Sequence, residues 1–323
     1  MGPIIVAICV FVGAFVLLSA PHLLRNLTVN RLMDAAWNVR PSERTRELLR
    51  ALDQGDIEPL RSALSRAARS RDWDLRGYYV YAAGLGEHVE LYARWVKREP
   101  GSSEAHLMRA EALARRGYDV RGSDTFDTVS ARDAGTFATL TERARISYLE
   151  AARLDPDDPA PWAGLLLTGT SLGMPLSEAW ELYAEAAERH PGNWVAAEAM
   201  LRATCRKWGG SHEVMFEFAR EAAEGAPLGD PRNALIALAH FERWMYFAWF
   251  DDDRGAGARH CADPGVQAEV EAALMEAFGP APLSAIGVAR ARLSAATWYG
   301  CSGAAGRGRE LSRQGLEALH AIA

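Results

Sequence analysis

The chain contains several short stretches whose residue types could do chemistry, and one of them is Gly169-Thr170-Ser171-Leu172-Gly173. It matches the G-x-S-x-G pattern, in which a serine hydrolase places its nucleophile on a sharp turn between a strand and a helix. A triad also needs a base and an acid, and no spacing ties His212 or His240 to this serine. The surrounding pattern instead predicts that Ser171 lies at a turn between two helices, where Gly and Ser are expected.

A second candidate is Asp251-Asp252-Asp253, followed by His260 and Cys261. Calcium loops need oxygen ligands at alternating positions with a supporting Glu, and zinc needs four placed donors. Three consecutive aspartates point in different directions, so we expect a solvated loop. The P-loop, G-x-G-x-x-G and H-E-x-x-H patterns do not occur. The sequence therefore predicts no catalytic residues, no metal ligands and no cofactor.

The stretch Lys207-Trp208-Gly209-Gly210-Ser211 is distinctive. Its paired glycines permit positive φ in a tight turn, Ser211 is a good cap for the next helix, and Trp208 would fill the seam between helices. The alternative places Arg206 and Lys207 at the mouth of a groove, with Trp208 as an anchor for a partner. The structural explanation is favoured.

Aromatic side chains crowd one predicted helix at residues 241–250 and surround its circumference. Such a helix is either fully buried or presents a binding surface, and burial is favoured. The alternative function is a small-molecule-binding or enzymatic domain with a pocket here, near His240, Glu242 and Asp251. That hypothesis requires the three polar side chains to converge on a closed cavity with perturbed pKa values.

Polar and aromatic residues also alternate in the stretch 72–79, Asp-Trp-Asp-Leu-Arg-Gly-Tyr-Tyr. These side chains would either line a recognition surface, or Asp72 or Asp74 would cap a helix while the aromatics pack. The sequence leaves both alternatives open.

The elements that must position these residues are repeated helices. Pro156, Pro191 and Pro227 each follow a stripe of small or apolar residues at five, eight and twelve positions upstream, and Pro100 follows the same pattern except at His88. Such spacing places the stripe on one helix face, and the proline stops the helix. The last two intervals are close to the period of about 34 residues of tetratricopeptide units. A longer first interval indicates an insertion at residues 118–140.

These residues resemble the tetratricopeptide family, with Trp162, Leu166, Ala179, Tyr183, Ala186 and Pro191 following its pattern of apolar, small and aromatic positions. The glycine expected midway along each first helix is missing or displaced. The stretches 72–79 and 207–213 look more specifically like signatures of a bacterial helical-repeat family, domain of unknown function 4034. That family implies a helical-repeat fold and no established activity.

The N-terminal segment carries no charge from Pro3 to Ala20, and Leu23 and Leu24 extend the apolar run to about the length of a membrane-spanning helix. Arg25 and Arg31 follow it and no Lys or Arg precedes it, which favours a retained single-pass anchor with a cytoplasmic body. The alternative is secretion after cleavage of a signal peptide near Leu18-Ser19-Ala20.

Composition sets the remaining limits. Ala, Leu, Arg and Glu favour helix, and a net charge of −6 gives no reason to expect nucleic acid. The four cysteines are too few and too scattered for a disulfide framework, so we expect small buried hydrophobes.

The sequence thus predicts an all-α protein, a right-handed α-solenoid of tetratricopeptide-like hairpins behind one N-terminal transmembrane helix. Its parts are an anchor at 1–24, a juxtamembrane linker at 25–42 and a repeat domain at 43–323. Each hairpin should pack only on its neighbours and leave a continuous concave surface for a protein or peptide partner, without catalysis. The expected partner-binding residues are Arg109, Glu111, Trp162, Trp194, Arg202, Lys207 and Trp208.

Overall fold

The computed structural model describes residues 28–33, 42–122, 128–251, 253–279 and 282–321, and within these ranges the chain is helical without a strand. The all-α class predicted from composition is therefore confirmed. No helix in the described ranges is both long and apolar enough to cross a membrane. The expected anchor at residues 1–24 lies outside them.

The helices follow one another in antiparallel pairs joined by short turns. The first half comprises α1 (Glu43–Asp53), α2 (Glu58–Arg69), α3 (Trp73–Ala83), α4 (Val89–Arg98), α5 (Ser103–Arg121), α6 (Ala131–Leu154) and α7 (Ala160–Ser171). The second half comprises α8 (Leu176–Arg189), α9 (Trp194–Thr204), α10 (His212–Glu224), α11 (Leu235–Trp249), α12 (Arg254–Ala262), α13 (Pro264–Ala277), α14 (Ala285–Cys301) and α15 (Ala305–Ala321). Short 3₁₀ turns occupy Gly86–His88, Arg206–Trp208 and Pro231–Ala234.

Helix ends lie where the local chemistry predicts them. Pro100, Pro156, Pro191 and Pro227 each follow within three residues of the end of a helix, at α4, α6, α8 and α10. Helix starts carry side-chain caps, for example Ser102 on Ala105 N and Asn193 on Ala196 N. The hairpin boundaries are therefore set locally.

The predicted stripes of small and aromatic residues form the contacts between helices. On α6, Ala144, Tyr148 and Ala151 are buried, and on α4, Tyr92 and Trp95 are fully buried. Small residues let a neighbouring helix approach: a side chain at Gly164 on α7 would clash with the Tyr148 ring. The repeat pattern thus identified the packing faces correctly.

The C-terminal pair departs from the expected packing. Helix α14 contacts α3, α9 and α11, which are the first helices of three different hairpins, as well as its own partner α15. Nearly all of its residues are buried, including Leu293 and Trp298. The prediction that every hairpin packs only on its neighbours is therefore wrong for this pair. An apolar helix with buried residues around its circumference is stable only when surrounded, and the row of first helices covers it.

Two further segments differ from expectation. The insertion is partly helical, because it extends α5 to Arg121 and begins α6 at Ala131, and Tyr118 packs against Phe137 across this hairpin. Within the expected linker, residues 28–33 are helical, with Val29 and Leu32 buried. Both side chains lie beside Gly300 of α14, so close that a Cβ at that glycine would be 3.1 Å from Leu32 and 3.2 Å from Val29. Residues 28–33 therefore pack on α14.

Candidate functional site

The predicted partner-binding residues occupy different environments. Glu111 on α5 accepts a hydrogen bond from the Tyr148 hydroxyl at 2.7 Å and lies 3.7 Å from Arg115. Burial raises the pKa of Tyr148 well above its usual value, and the neighbouring Glu111 raises it further. The phenol therefore stays protonated and donates to the carboxylate. Glu111 is thus half-buried and joins α5 to the buried Tyr148 of α6 through a hydrogen bond.

Next to this pair, helix α14 contributes a side chain to the inner face of the array. The Arg115 guanidinium lies 4.5 Å from the centre of the Tyr81 ring on α3, and the Arg290 guanidinium from α14 lies 4.9 Å from the same ring. Ser294 on α14 also donates to Glu198 on α9 at 2.8 Å. The inner face that was expected to receive a partner is therefore covered in part by the chain's own helix.

The other predicted inner-face residues also have internal contacts. Arg109 donates to the Ser147 hydroxyl at 3.0 Å, and Trp194 is buried in the core. The Arg189 guanidinium lies over the Trp162 ring, 4.9 Å from the centre of that ring. Arg202 is half-buried and lies near Tyr118. Burial raises the pKa of the Tyr118 phenol, and the positive charge of Arg202 partly opposes that rise. Each of these four side chains therefore has its own contact within the chain.

The turn 207–211 has the structural role that was favoured. Gly209 adopts φ of 95°, and Ser211 caps α10 by accepting from Val214 N at 3.2 Å. Trp208 packs against the main core, and Lys207 pairs with Glu242 on α11 at 2.6 Å, with both side chains largely buried. The geometry uses Lys207 and Trp208 to join α9, α10 and α11.

The aromatic helix α11 is buried in its middle and exposed at its C-terminal end. Phe241, Trp244 and Met245 are buried, which confirms the favoured interpretation for its middle. At its C-terminal end, Trp249 is 40% exposed and Phe250 is 48% exposed. Tyr246 stacks on Phe250 with ring centres 5.6 Å apart, and the Arg206 guanidinium lies 4.9 Å from the Tyr246 ring. We call Tyr246, Trp249 and Phe250 the aromatic patch.

The three polar side chains required for a pocket at α11 do not share partners. His240 is buried, Glu242 is paired with Lys207, and Asp251 is exposed. The structure instead connects His240 to two residues of later helices. Its Nδ1 lies 3.1 Å from His260 Nε2 on α12, and its Nε2 lies 3.0 Å from Glu269 on α13.

Aromatic side chains pack around the pair formed by His240 and His260. The His240 ring contacts Phe216 and Trp298, and Glu269 is bound on its outer side by Arg220 at 2.9 Å. Burial, together with a smaller contribution from the neighbouring His240, lowers the pKa of His260 to about 4. Sequence reasoning named both histidines but missed Glu269, because nothing local distinguishes it from other surface acids. These contacts fix the orientation of the two imidazole rings.

The remaining candidates have structural roles. Ser171 is the last residue of α7, and its hydroxyl lies 2.6 Å from that of Tyr118. Asp72 caps α3 on Leu75 N, while Tyr78 and Tyr79 are buried, so capping and packing explain that stretch. Asp253 likewise caps α12 on Ala256 N at 2.8 Å.

The cysteines follow the predicted pattern as far as the structure describes them. Cys205, Cys261 and Cys301 are buried and are not joined in disulfides, and Cys9 lies outside the described residues.

Compared with known proteins, the chain matches no family model and no curated protein. The resemblance to tetratricopeptide proteins and to domain of unknown function 4034 therefore stays a prediction that rests on the residues quoted above.

Proposed function

We propose that the chain is a membrane-tethered helical-repeat scaffold that binds a protein partner and carries out no catalysis. The observation that supports this proposal best is the aromatic patch at the end of α11. Trp249 is 40% exposed and Phe250 is 48% exposed, at the end of a helix whose other aromatics are buried or half-buried. Trp, Tyr and Arg contribute most of the binding energy at protein interfaces, and here they occur together.

The patch is a better candidate than the inner face for a physical reason. The inner-face residues Glu111 and Lys207 already have partners within the chain, so a ligand would have to displace contacts that stabilise the fold. The patch aromatics gain contacts on binding and lose mainly water. Arg206 beside Tyr246 adds a cation that pairs with a carboxylate of the partner.

The proposed tether is the apolar segment 1–24. The helical residues 28–33, which come shortly after this segment in the sequence, pack on α14. We expect the full chain to remain in the membrane pellet after extraction with alkaline carbonate, and a chain lacking residues 2–24 to be released. Release of the full chain would contradict the tether.

The partner surface is tested by cross-linking in cells with the full-length, tagged protein, followed by membrane purification and mass spectrometry. The test variant replaces Trp249 and Phe250 by Ser. The control replaces Ile146 and Leu149 by Ser, two apolar residues of α6 that are 55% and 52% exposed. A partner that is lost with the first pair and retained with the second supports the proposal. A partner set unchanged by both variants contradicts it.

A further inference from the structure

An open groove near the N-terminal end of the described body collects acidic side chains around one histidine. Asp53, Glu87, His88 and Glu90 line it, together with Arg94. Three consecutive elements of the fold supply them: Asp53 is the last residue of α1, Glu87 and His88 belong to the 3₁₀ turn before α4, and Glu90 and Arg94 lie on α4. Three carboxylates face one guanidinium here, which gives the groove a negative charge.

Three of these side chains are arranged closely enough to share one ion. One donor atom each from Asp53, Glu87 and His88 lies within 4.8 Å of the other two, and this is the one such group of His, Cys, Asp and Glu in the described part of the chain. The Asp53 Oδ1 to His88 Nε2 distance is 3.3 Å. Two ligands at about 2.0–2.1 Å from a tetrahedral zinc ion stand about 3.3–3.4 Å apart, so this pair already has the required spacing.

The imidazole is fixed in position before any ion arrives. His88 is only 7% exposed, and its ring contacts Tyr92 edge-on. Tyr92 is anchored in turn because its hydroxyl donates to Ala83 O at 2.7 Å. His88 Nδ1 is buried without a hydrogen-bond partner, so Nε2 is the ring nitrogen that faces the groove. A rigid nitrogen donor reduces the entropy lost on binding.

The carboxylates around this imidazole are not paired with a basic side chain in the described part of the chain. No Lys or Arg forms an ion pair with Asp53, Glu87 or Glu90 among the described residues, although many other acids of this chain have such a partner. Asp53 also lies at the C-terminus of α1, where the helix dipole favours a cation. Both features favour a bound cation.

We propose that Asp53, Glu87 and His88 form a binding site for one divalent first-row transition-metal ion of the Zn²⁺ type. One imidazole and two carboxylates suit such an ion better than Ca²⁺, which takes six to eight oxygen ligands. Three protein ligands leave a position open to water or to a donor from another molecule. The site joins α1 to the turn before α4, so the bound ion also links two hairpins.

The test uses the full chain in detergent, purified with a tag that contains no histidine, kept reduced and stripped with a chelator. Equilibrium dialysis against Zn²⁺ with elemental analysis should give one ion per chain. Asp53→Asn and Glu87→Gln each change an exposed residue, so folding is retained, and each should weaken Zn²⁺ binding by about tenfold or more, because a neutral amide is a poor ligand.

The matched control is Asp74→Asn, because Asp74 pairs with His190 at 3.1 Å without a third acid nearby in the described residues. It should leave the affinity unchanged. Co²⁺ in place of Zn²⁺ should give visible bands without the near-ultraviolet band of a thiolate ligand. Failure to bind one ion, binding that survives both Asp53→Asn and Glu87→Gln, or a thiolate band would overturn the proposal.

Discussion

Arg76 is a fully buried arginine on α3, and its guanidinium is held by groups from two other parts of the chain. Its Nε donates to Asp158 at 2.8 Å, and its Nη1 donates to the carbonyl of Leu64 at 3.1 Å. Asp158 is 1% exposed and also accepts from Ala160 N. The pair therefore connects α3 to the start of α7 across a low-dielectric interior.

We expect Asp158→Ala to reduce the free energy of unfolding by about 3–5 kcal/mol, because it leaves Arg76 charged and buried without the carboxylate that accepts from its Nε. The double variant Arg76→Met, Asp158→Ala should recover most of that loss, since neither charge remains. Urea unfolding followed by circular dichroism measures both. A double variant less stable than Asp158→Ala alone would contradict this account.

The histidine pair makes stability depend on pH. The folded-state pKa of His240 is lowered by burial, and that of His260 is lowered to about 4. The unfolded chain therefore binds more protons, and stability falls as pH drops from about 6.5, the ordinary His value, towards 4. Glu269 and Asp263 oppose this effect at the pair, while Arg220 and Arg243 reinforce it.

We expect His260→Gln to make this acid-induced loss of stability shallower, because Gln keeps a donor for His240 and does not titrate. The melting temperature measured between pH 7.5 and 4.5 shows the slope. His106 and His212 also have lowered pKa values, so part of the slope remains. An unchanged slope would show that the pair does not control it.

Among the elements, the turn between α9 and α10 depends most strictly on glycine. Gly209 has φ of 95°, and a Cβ at Gly210 would lie 2.0 Å from the carbonyl oxygen of Thr204. We expect Gly210→Ala to cost more stability than Gly209→Ala, for which about 1 kcal/mol is typical. Gly101→Ala is the control, because its Cβ would meet nothing within 4 Å. Urea midpoints for the three variants test this order, and equal midpoints would contradict it.

Helices and turns set by nearby residues could be predicted from the sequence, whereas contacts between residues far apart in the chain could not. The hairpins, their proline stops and the cap at Ser211 were predictable, because each depends on residues within about one helical turn. Helix α12 was missed because Gly255 and Gly257 interrupt any apolar period, while the Asp253 cap and packing against Trp244 stabilise it. Asp158 and Glu269 were missed as partners because their contacts join residues far apart in the chain.

For the whole molecule, the important feature is that the last hairpin returns to the N-terminal part of the described body, where α14 contacts α3. Leu293 on α14 and Leu319 on α15 belong to the same hydrophobic cluster as Leu60 and Leu64 on α2. A linear repeat array unfolds in parts because each repeat contacts only its neighbours. A return contact of this kind couples the two ends and makes unfolding more cooperative.

We therefore expect Leu293→Ala, at a position 1% exposed, to lower the free energy of unfolding by about 2–5 kcal/mol and to weaken both ends together. Hydrogen exchange should become faster in α3 as well as in α14, although α3 is more than two hundred residues earlier in the chain. Leu283→Ala, at a position 62% exposed, is the control and should change neither region. Faster exchange confined to α14 and α15 would mean that the hairpins open independently. In that case the inner face covered by α14 would become accessible by local opening, and it would compete with the aromatic patch as the partner surface.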